Sequence, residues 1–257
     1  MKVLVSDPIT DTGISILEDS GFKTLYLPDS DKKEINKAIH DVDGMIIRSG
    51  TKVDARMLES VKKLQVIGRA GVGVDNIDIQ AATRKGIVVM NTPDVNTISA
   101  AEHTIALMLA LSRNIHHGHM GLYQGSWNRH ELVGTELRNK TIGIIGLGKI
   151  GREVMERCRS FKMNIICYDP FINKELFTND EITITDLDSL TKSSDYITLH
   201  IPLNDKTRDL FDYNRLKLMK PSARLINVAR GGIINENDLA KALKENIIAG
   251  AAIDVFE

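Results

Sequence analysis

The sequence predicts an α/β protein with two parallel sheets, and three observations favour that fold class. Short apolar runs alternate with segments of helical periodicity along most of the 257 residues, a pattern typical of parallel strands covered by helices. A turn cluster at residues 91–94 and a long apolar helical pattern at residues 99–113 interrupt the alternation. A glycine-rich turn at residues 146–151 then joins a strand pattern to a helical pattern. Together they indicate two successive α/β domains.

The composition excludes several classes of protein. Hydrophobic residues make up 42% and charged residues 26% of the chain, and 33 basic against 34 acidic residues give a net charge of -1. This balance does not favour binding to nucleic acid or to a membrane surface. The longest apolar run, residues 105–111, is far shorter than the roughly 20 residues of a membrane span, and the N-terminus has no signal-peptide pattern. Two cysteines, without a C-x-x-C pair, argue against a disulfide scaffold and favour a reducing cytoplasm.

The first predicted domain covers residues 1–94. A helix is expected from residue 14 to about residue 21, a second one after the capping pattern Asp31-Lys-Lys-Glu34, and a third over residues 77–85. The predicted strands occupy residues 3–5, 22–27, 44–48, 64–69 and 87–90.

The second predicted domain covers residues 95–257 and begins with the long helix. Residues 114–139 are polar and irregular, so we interpret them as a projecting arm. Helices are expected between its strands, for example at residues 150–161 and 236–245. The predicted strands occupy residues 141–145, 164–168, 196–200, 224–228 and 249–255.

The sharpest motif is Gly-Leu-Gly-Lys-Ile-Gly at residues 146–151. It follows a strand pattern directly and begins a helical one, as in dinucleotide-binding Rossmann domains. Gly146 would permit the tight turn, Gly148 would let the backbone approach a pyrophosphate, and Gly151 would let helix and strand pack closely. The helix N-terminus would favour the anion. The motif therefore predicts a bound dinucleotide.

Asp169 ends the next predicted strand. An acid at about this spacing binds the adenosine ribose hydroxyls. Its charge repels a 2′-phosphate, so NAD is favoured over NADP. The alternative is that Asp169 only begins an Asp-Pro turn with Pro170.

Motifs along almost the whole chain are similar to those of the D-2-hydroxyacid dehydrogenases, and in particular of the branch that oxidises D-3-phosphoglycerate. The resemblance implies a flavodoxin-like substrate (lid) domain and a doubly wound NAD-binding domain. Besides the glycine loop, the motifs lie at residues 47–51, 68–76, 91–93, 99–104, 134–137, 227–232 and 250–256.

The resemblance implies a catalytic role for Arg230, whose planar guanidinium suits the substrate carboxylate. Glycines 231 and 232 are expected to let the substrate approach. Arg48 and Ser49 are similar to the family's phosphate-recognition site, although an ordinary arginine at a strand end is the alternative.

Further contacts follow from the resemblance. Gly71, Val72 and Gly73 are expected to offer backbone N–H groups to the substrate carboxylate. Asp254 resembles the acid that hydrogen-bonds the nicotinamide carboxamide. The remaining cofactor contacts are expected from Val72, Lys149, Ile150, Ile201, Val228, Ala229 and Arg230.

The resemblance places the family's acid–base histidine and its glutamate partner beyond Glu257. We therefore expect the chain to be part of a longer protein and to lack the helix that returns to the first domain. By itself it is expected to be a weak catalyst. His103 is expected to be a packing residue, and His200 to lie near the cofactor pocket without serving as the base. His116, His117 and His119 lack an acidic or cysteine partner nearby, so no metal site is predicted.

Two alternatives remain open. One is a sister dehydrogenase acting on glyoxylate, hydroxypyruvate or D-lactate. The other is a non-catalytic, NAD(H)-responsive protein similar to corepressors of this fold, because fold alone does not determine function. The resemblance also implies a homodimer or homotetramer that acts on a small phosphorylated 2-hydroxyacid. The arm at residues 114–139, with Tyr123 and Trp127, is the expected dimer contact.

Overall fold

The computed structural model describes residues 1–28, 30–172 and 182–257. The chain divides into two compact units, Met1–Asn96 and Thr97–Glu257. Each unit contains one parallel sheet with helices packed on it. No helix in the described ranges is long and apolar enough to span a bilayer.

The first unit has a five-stranded parallel sheet in the order β2-β1-β3-β4-β5, which is the flavodoxin-like order. Three of its helices begin after an aspartate whose carboxylate accepts the amide three residues later, at Asp31, Asp54 and Asp78. These caps satisfy amides that have no partner within the helix. The elements are β1 (Lys2–Val5), α1 (Asp11–Asp19), β2 (Lys23–Tyr26), α2 (Lys32–Ala38), β3 (Gly44–Ile47), α3 (Ala55–Glu59), β4 (Val66–Arg69), α4 (Ile79–Arg84) and β5 (Val88–Asn91).

The core of the first unit lies between the central strands and these helices. Leu4, Ile47 and Ile67 are fully buried on the strands, and Leu58 is fully buried on α3. The apolar runs of the central strands therefore follow from burial on both faces of the sheet. The carboxyl ends of β1, β3 and β4 all lie at one edge.

The second unit has a six-stranded sheet in the order β11-β10-β9-β6-β7-β8. All the described pairings are parallel. Counted from its own first strand this is the order 3-2-1-4-5-6, typical of doubly wound dinucleotide-binding sheets. Its elements are α5 (Thr97–Ser112), α6 (Ile115–Tyr123), β6 (Thr141–Ile145), α7 (Lys149–Ser160), β7 (Asn164–Tyr168), β8 (Ile182–Ile184), α8 (Leu187–Ser193), β9 (Tyr196–Leu199), α9 (Tyr213–Leu216), β10 (Arg224–Asn227), α10 (Glu236–Lys244) and β11 (Gly250–Ile253).

Two hydrophobic clusters cover the two faces of this sheet. One contains Met108 of α5 and Val154 of α7, and the other contains Leu190 of α8 and Leu239 of α10. All four residues of β9 are buried. Strand order and layering confirm the predicted fold class of two Rossmann-like α/β sheets.

The prediction of an irregular arm at residues 114–139 was partly wrong. Residues Ile115–Tyr123 form helix α6, and Arg129–Leu132 form a short 3-10 helix. No residue of α6 is buried, and its two glycines and three histidines have low helix propensity. Leu122, Tyr123 and Trp127 are exposed within the chain. Two short elements, α3 and β8, were not predicted.

Candidate functional site

The glycine loop between β6 and α7 is determined by steric exclusion at two positions. Gly146 has a φ of +94°, and a Cβ there would lie 2.5 Å from the carbonyl oxygen of His200. A Cβ on Gly151 would lie 2.0 Å from the carbonyl oxygen of Gly146. Such separations are impossible between real atoms, so both glycines are required by the fold itself.

Gly148 differs, because a Cβ there would meet no atom of the described residues within 4 Å. It is the N-cap of α7, and no side chain caps that helix. The N-terminus of this 12-residue helix, with its partial positive charge, favours an anion. Lys149 is exposed and Ile150 is half-buried in the same turn. The open space beside Gly148 fits the close approach of a cofactor pyrophosphate.

Asp169 follows β7 and lies against this loop. Its Oδ2 accepts the amide of Leu147 at 2.9 Å, and its Oδ1 accepts the amide of Phe171 at 2.9 Å. The second bond is the predicted alternative, a turn at the strand end. The first bond places the carboxylate at the glycine loop, where an acid that binds ribose belongs. Both interpretations of Asp169 are therefore compatible with this geometry.

The loop that contains Arg230 is organised by Asn227, a residue that the sequence analysis did not single out. Asn227 is buried at the end of β10; its Nδ2 donates to the Arg230 carbonyl at 2.9 Å, and its Oδ1 accepts the Ala229 amide at 3.0 Å. The Arg230 guanidinium donates to the Ala229 carbonyl at 2.7 Å. Val228, Ala229 and Arg230 are half-buried at the carboxyl edge of the sheet. Ligands of open α/β sheets bind at this edge.

The next two glycines have a structural explanation that is independent of the expected one. A Cβ on Gly231 would lie 2.1 Å from the carbonyl oxygen of Phe256, and Gly232 has a φ of +74°. Backbone packing and backbone conformation therefore account for both glycines, without any substrate.

Asp254 follows β11 and makes a contact that the sequence did not reveal. Its Oδ1 lies 3.1 Å from Nε2 of His103, on α5, and 46% of the His103 side chain is exposed. The prediction that His103 is a packing residue was therefore wrong. A pairing across 151 residues leaves no local signal in the sequence.

His200 is unsuited to acid–base chemistry at neutral pH. Burial lowers its pKa to about 4, and its Nε2 shares a hydrogen bond of 3.0 Å with Oγ1 of Thr198. An effective acid–base group has a pKa near the working pH. Ile201, the next residue, lies beside Gly146, since a Cβ on Gly146 would be 2.9 Å from its Cγ2.

In the first unit, a buried aspartate positions the loop after β3. The Asp7 carboxylate accepts the amides of Arg48 and Thr51 and the hydroxyl of Thr51. Arg48 and Ser49 are exposed there, and the Arg48 guanidinium donates to the Pro8 carbonyl at 3.3 Å. The sequence analysis named Arg48 but not Asp7.

The loop after β4 differs in part from its prediction. The Gly71 amide donates to the Arg69 carbonyl at 2.8 Å, so it is not available to a substrate. The Val72 carbonyl accepts Nδ2 of Asn91 at 2.7 Å, and Val72 and Gly73 are half-buried. A Cβ on Gly71 would collide with the Arg69 guanidinium.

Arg69 was not named by the sequence analysis. Its backbone pairs with Ile47, the residue before Arg48, so two arginines lie at the carboxyl ends of adjacent strands. Arginine is well suited to bind carboxylate and phosphate groups.

Within the described ranges, no group of three or more histidine, cysteine or acidic residues is arranged to bind a metal. The rings of His116 and His117 lie 4.0 Å apart, and burial together with His117 lowers the pKa of His116. Burial raises the pKa of Cys158 and of Cys167 to about 12, so neither thiol is suited to act as a nucleophile.

Comparison with known proteins agrees with this geometry. Residues 105–257 match the family model described as D-isomer specific 2-hydroxyacid dehydrogenase, NAD binding domain. The chain is 48% identical over its full length to a D-3-phosphoglycerate dehydrogenase of Methanocaldococcus jannaschii and 44% identical to one of Archaeoglobus fulgidus. It spans 49% of each of these relatives, about half of their length.

Among solved structures, an NAD-dependent formate dehydrogenase from Staphylococcus aureus in complex with NAD superposes with a TM-score of 0.91 at 32% identity. The match covers 100% of this chain and 82% of that one. A D-lactate dehydrogenase of Aquifex aeolicus gives a TM-score of 0.90 at 27% identity, covering 100% and 77%. The chain therefore belongs to the family of D-isomer specific 2-hydroxyacid dehydrogenases.

Proposed function

We propose that the chain forms the NAD site and part of the substrate site of a dehydrogenase that oxidises D-3-phosphoglycerate to 3-phosphohydroxypyruvate, the first step of serine biosynthesis. The first unit would bind the substrate and the second unit the cofactor. The proposal is supported by full-length similarity to two D-3-phosphoglycerate dehydrogenases and by the chemistry of the residues at the carboxyl edges of both sheets.

The observation that supports the cofactor most directly is the contrast within the glycine loop. The chain's own packing requires Gly146 and Gly151, whereas no residue that the structure describes fills the space beside Gly148. A pyrophosphate at the start of α7 accounts for a glycine there. The Asp169 carboxylate at the same loop favours NAD over NADP, because it would repel a 2′-phosphate.

NAD, when bound, supplies the hydride acceptor. Arg230 would bind the substrate carboxylate and polarise the reacting C2 oxygen through its guanidinium. Asp254 would accept a hydrogen bond from the nicotinamide carboxamide. Arg48, with Arg69 beside it in the sheet, would bind the substrate's phosphate end, and the N–H groups of Val72 and Gly73 would contribute to carboxylate binding.

Proton transfer from the substrate hydroxyl needs a group that titrates near neutral pH. His200 is excluded by its lowered pKa, and His103 is paired with the carboxylate that we assign to the nicotinamide carboxamide rather than to the substrate hydroxyl. We therefore expect this chain to bind cofactor well but to turn over slowly, because histidine proton transfer contributes about 10²–10⁴-fold to the rate.

A homodimer or homotetramer in a reducing cytoplasm belongs to the same proposal. Tyr123 and Trp127 have exposed fractions of 82% and 65%, and large exposed aromatic side chains are typical of subunit contacts.

The experiment that tests the proposal is calorimetric binding to the 257-residue chain loaded with NADH. We expect 3-phosphoglycerate to bind and D-glycerate to bind at least about tenfold more weakly, because a charge-assisted pair with the phosphate is lost. Arg48→Ala should remove this difference, whereas Arg56→Ala, an exposed arginine on α3, should retain it.

The other outcomes identify the alternatives. Equal binding of both acids would contradict the phosphorylated substrate and favour a sister dehydrogenase. NADH binding accompanied by dimer formation, with no acid bound, would favour the NAD(H)-responsive reading. Failure to bind NADH would contradict the cofactor site itself.

A further inference from the structure

The contact between His103 and Asp254 joins helix α5 to the end of strand β11. Nε2 of His103 lies 3.1 Å from Oδ1 of Asp254, and both side chains are nearly half exposed. In the part of the chain that the structure describes, Oδ2 of Asp254 forms no hydrogen bond. One carboxylate oxygen is thus bound by an imidazole, and the other can accept a hydrogen bond from a ligand.

The backbone of Asp254 is anchored at the same place as the Arg230 loop. Its amide donates to the Asn227 carbonyl at 3.0 Å, and the Asn227 side chain binds the Ala229 amide and the Arg230 carbonyl. The main chain at Asp254 is therefore fixed. Only the Asp254 side chain can still rotate, and the hydrogen bond to His103 restricts this rotation.

The pair contributes little to stability, because interactions between groups of this exposure are weakened by solvent screening. Its neighbours also do not compete for the imidazole: Glu102 lies 3.8 Å from Arg157, which pairs with Glu153 in turn. The main effect of an exposed pair beside a ligand site is to orient the carboxylate that a bound ligand contacts.

We propose that His103 is a positioning residue for the nicotinamide end of the cofactor. By donating to Oδ1, the imidazole orients the Asp254 carboxylate so that Oδ2 accepts the hydrogen bond of the carboxamide. This inference rests on the proposed NAD site and adds a residue to it. The imidazole acts through Asp254 and does not itself touch the reacting atoms.

The test compares two ligands that differ at the nicotinamide end, NADH and ADP-ribose, by titration of the intact 257-residue chain. We expect His103→Leu to weaken NADH binding about fivefold, the equivalent of one ordinary hydrogen bond, and to leave ADP-ribose binding unchanged within about twofold. His103→Gln, which retains an N–H donor of similar reach, should restore most of the NADH affinity.

A double variant completes the test. If the imidazole acts through the carboxylate, His103→Leu should have no further effect once Asp254→Ala, which removes the acceptor, is present. Equal weakening of NADH and ADP-ribose would overturn the proposal in favour of a structural role, as would unchanged NADH binding in His103→Leu. A wild-type chain that binds ADP-ribose and NADH equally would overturn this inference alone, and one that binds neither would overturn the NAD site with it.

Discussion

The two candidate loops of the molecule are shaped by opposite means. In the second unit, the loop after β6 is determined by missing side chains, because a Cβ at Gly146 or Gly151 would overlap backbone oxygens. In the first unit, the loop after β3 is determined by an added group, the buried Asp7 carboxylate, which accepts three hydrogen bonds from residues 48–51.

This difference separates what is local from what is distant. The three glycines of this loop lie within six consecutive residues, so the motif can be recognised from the sequence alone. Asp7 reaches across 41 and 44 residues to its partners, so nothing beside Arg48 in the sequence indicates what supports it. Three substitutions test the comparison.

Gly151→Ala should have the largest effect. The new Cβ would lie 2.0 Å from a backbone oxygen, and neither α7 nor β6 can move away cheaply because both are packed in the core. We expect a loss of about 3–4 kcal/mol in the free energy of unfolding, measured by urea denaturation, together with loss of NADH binding.

Gly148→Ala is the matched contrast in the same loop. Its Cβ meets no atom of the chain, so the free energy of unfolding should change by less than about 1 kcal/mol, while NADH binding should weaken at least tenfold. Equal destabilisation by the two alanines would show that steric exclusion does not distinguish these glycines.

Asp7→Ala should have the next largest effect and should act on the first unit. Two buried or half-buried amides and the Thr51 hydroxyl would lose their acceptor, at a cost of about 3 kcal/mol. Hydrogen exchange, followed for each unit separately, should show faster exchange in residues 1–96 and unchanged NADH binding. Asp19→Ala, at the exposed end of α1, should change neither, and a similar loss in that variant would contradict the role given to Asp7.

The smallest effect is a pH dependence that comes from His200. Burial lowers the pKa of His200 in the folded chain to about 4, below its unfolded value near 6.5. The unfolded state therefore binds the proton more readily, and the stabilisation is complete above about pH 6.5 and is lost as the pH falls towards 4.

We expect this loss to be about 2 kcal/mol in the free energy of unfolding. His200→Gln should reduce it, whereas His130→Gln, at an exposed position, should not. A pH profile that is unchanged in His200→Gln would contradict the assignment.

The strands of both sheets and the cofactor loop could be predicted because their signals are local. Burial on both faces produces continuous apolar runs such as residues 142–145, and α5 and α7 begin within two residues of their predicted positions. Helix α6 was missed because its two glycines and three histidines have low helix propensity. Strand β8, with three residues, is too short to produce an alternating pattern.

Candidate site residues were predictable only where a motif names them. Arg48, Arg230 and Asp254 belong to such motifs, and the structure places each of them at the carboxyl end of a strand. Two of their supports, Asp7 and His103, act through hydrogen bonds to residues at least 41 positions away, so these partners depend on the tertiary fold. The third, Asn227, binds residues only two and three positions further along the chain. Gly231 belongs to a motif as well. A glycine is needed there because the Phe256 carbonyl lies close to it, and this contact can be recognised only in the folded structure.

The reach of Asp7 also has a consequence for the order in which the first unit folds. Residues 8–47, including β2 and α2, lie between the carboxylate and the loop it supports, so the loop cannot acquire its shape until β1 and β3 are paired. Closing a chain segment of this length costs entropy that local contacts do not repay. The Arg48 loop is therefore expected to be among the last parts of the unit to form and among the first to be lost, so that partial unfolding of the first unit would abolish the Arg48 site before the sheet itself is lost.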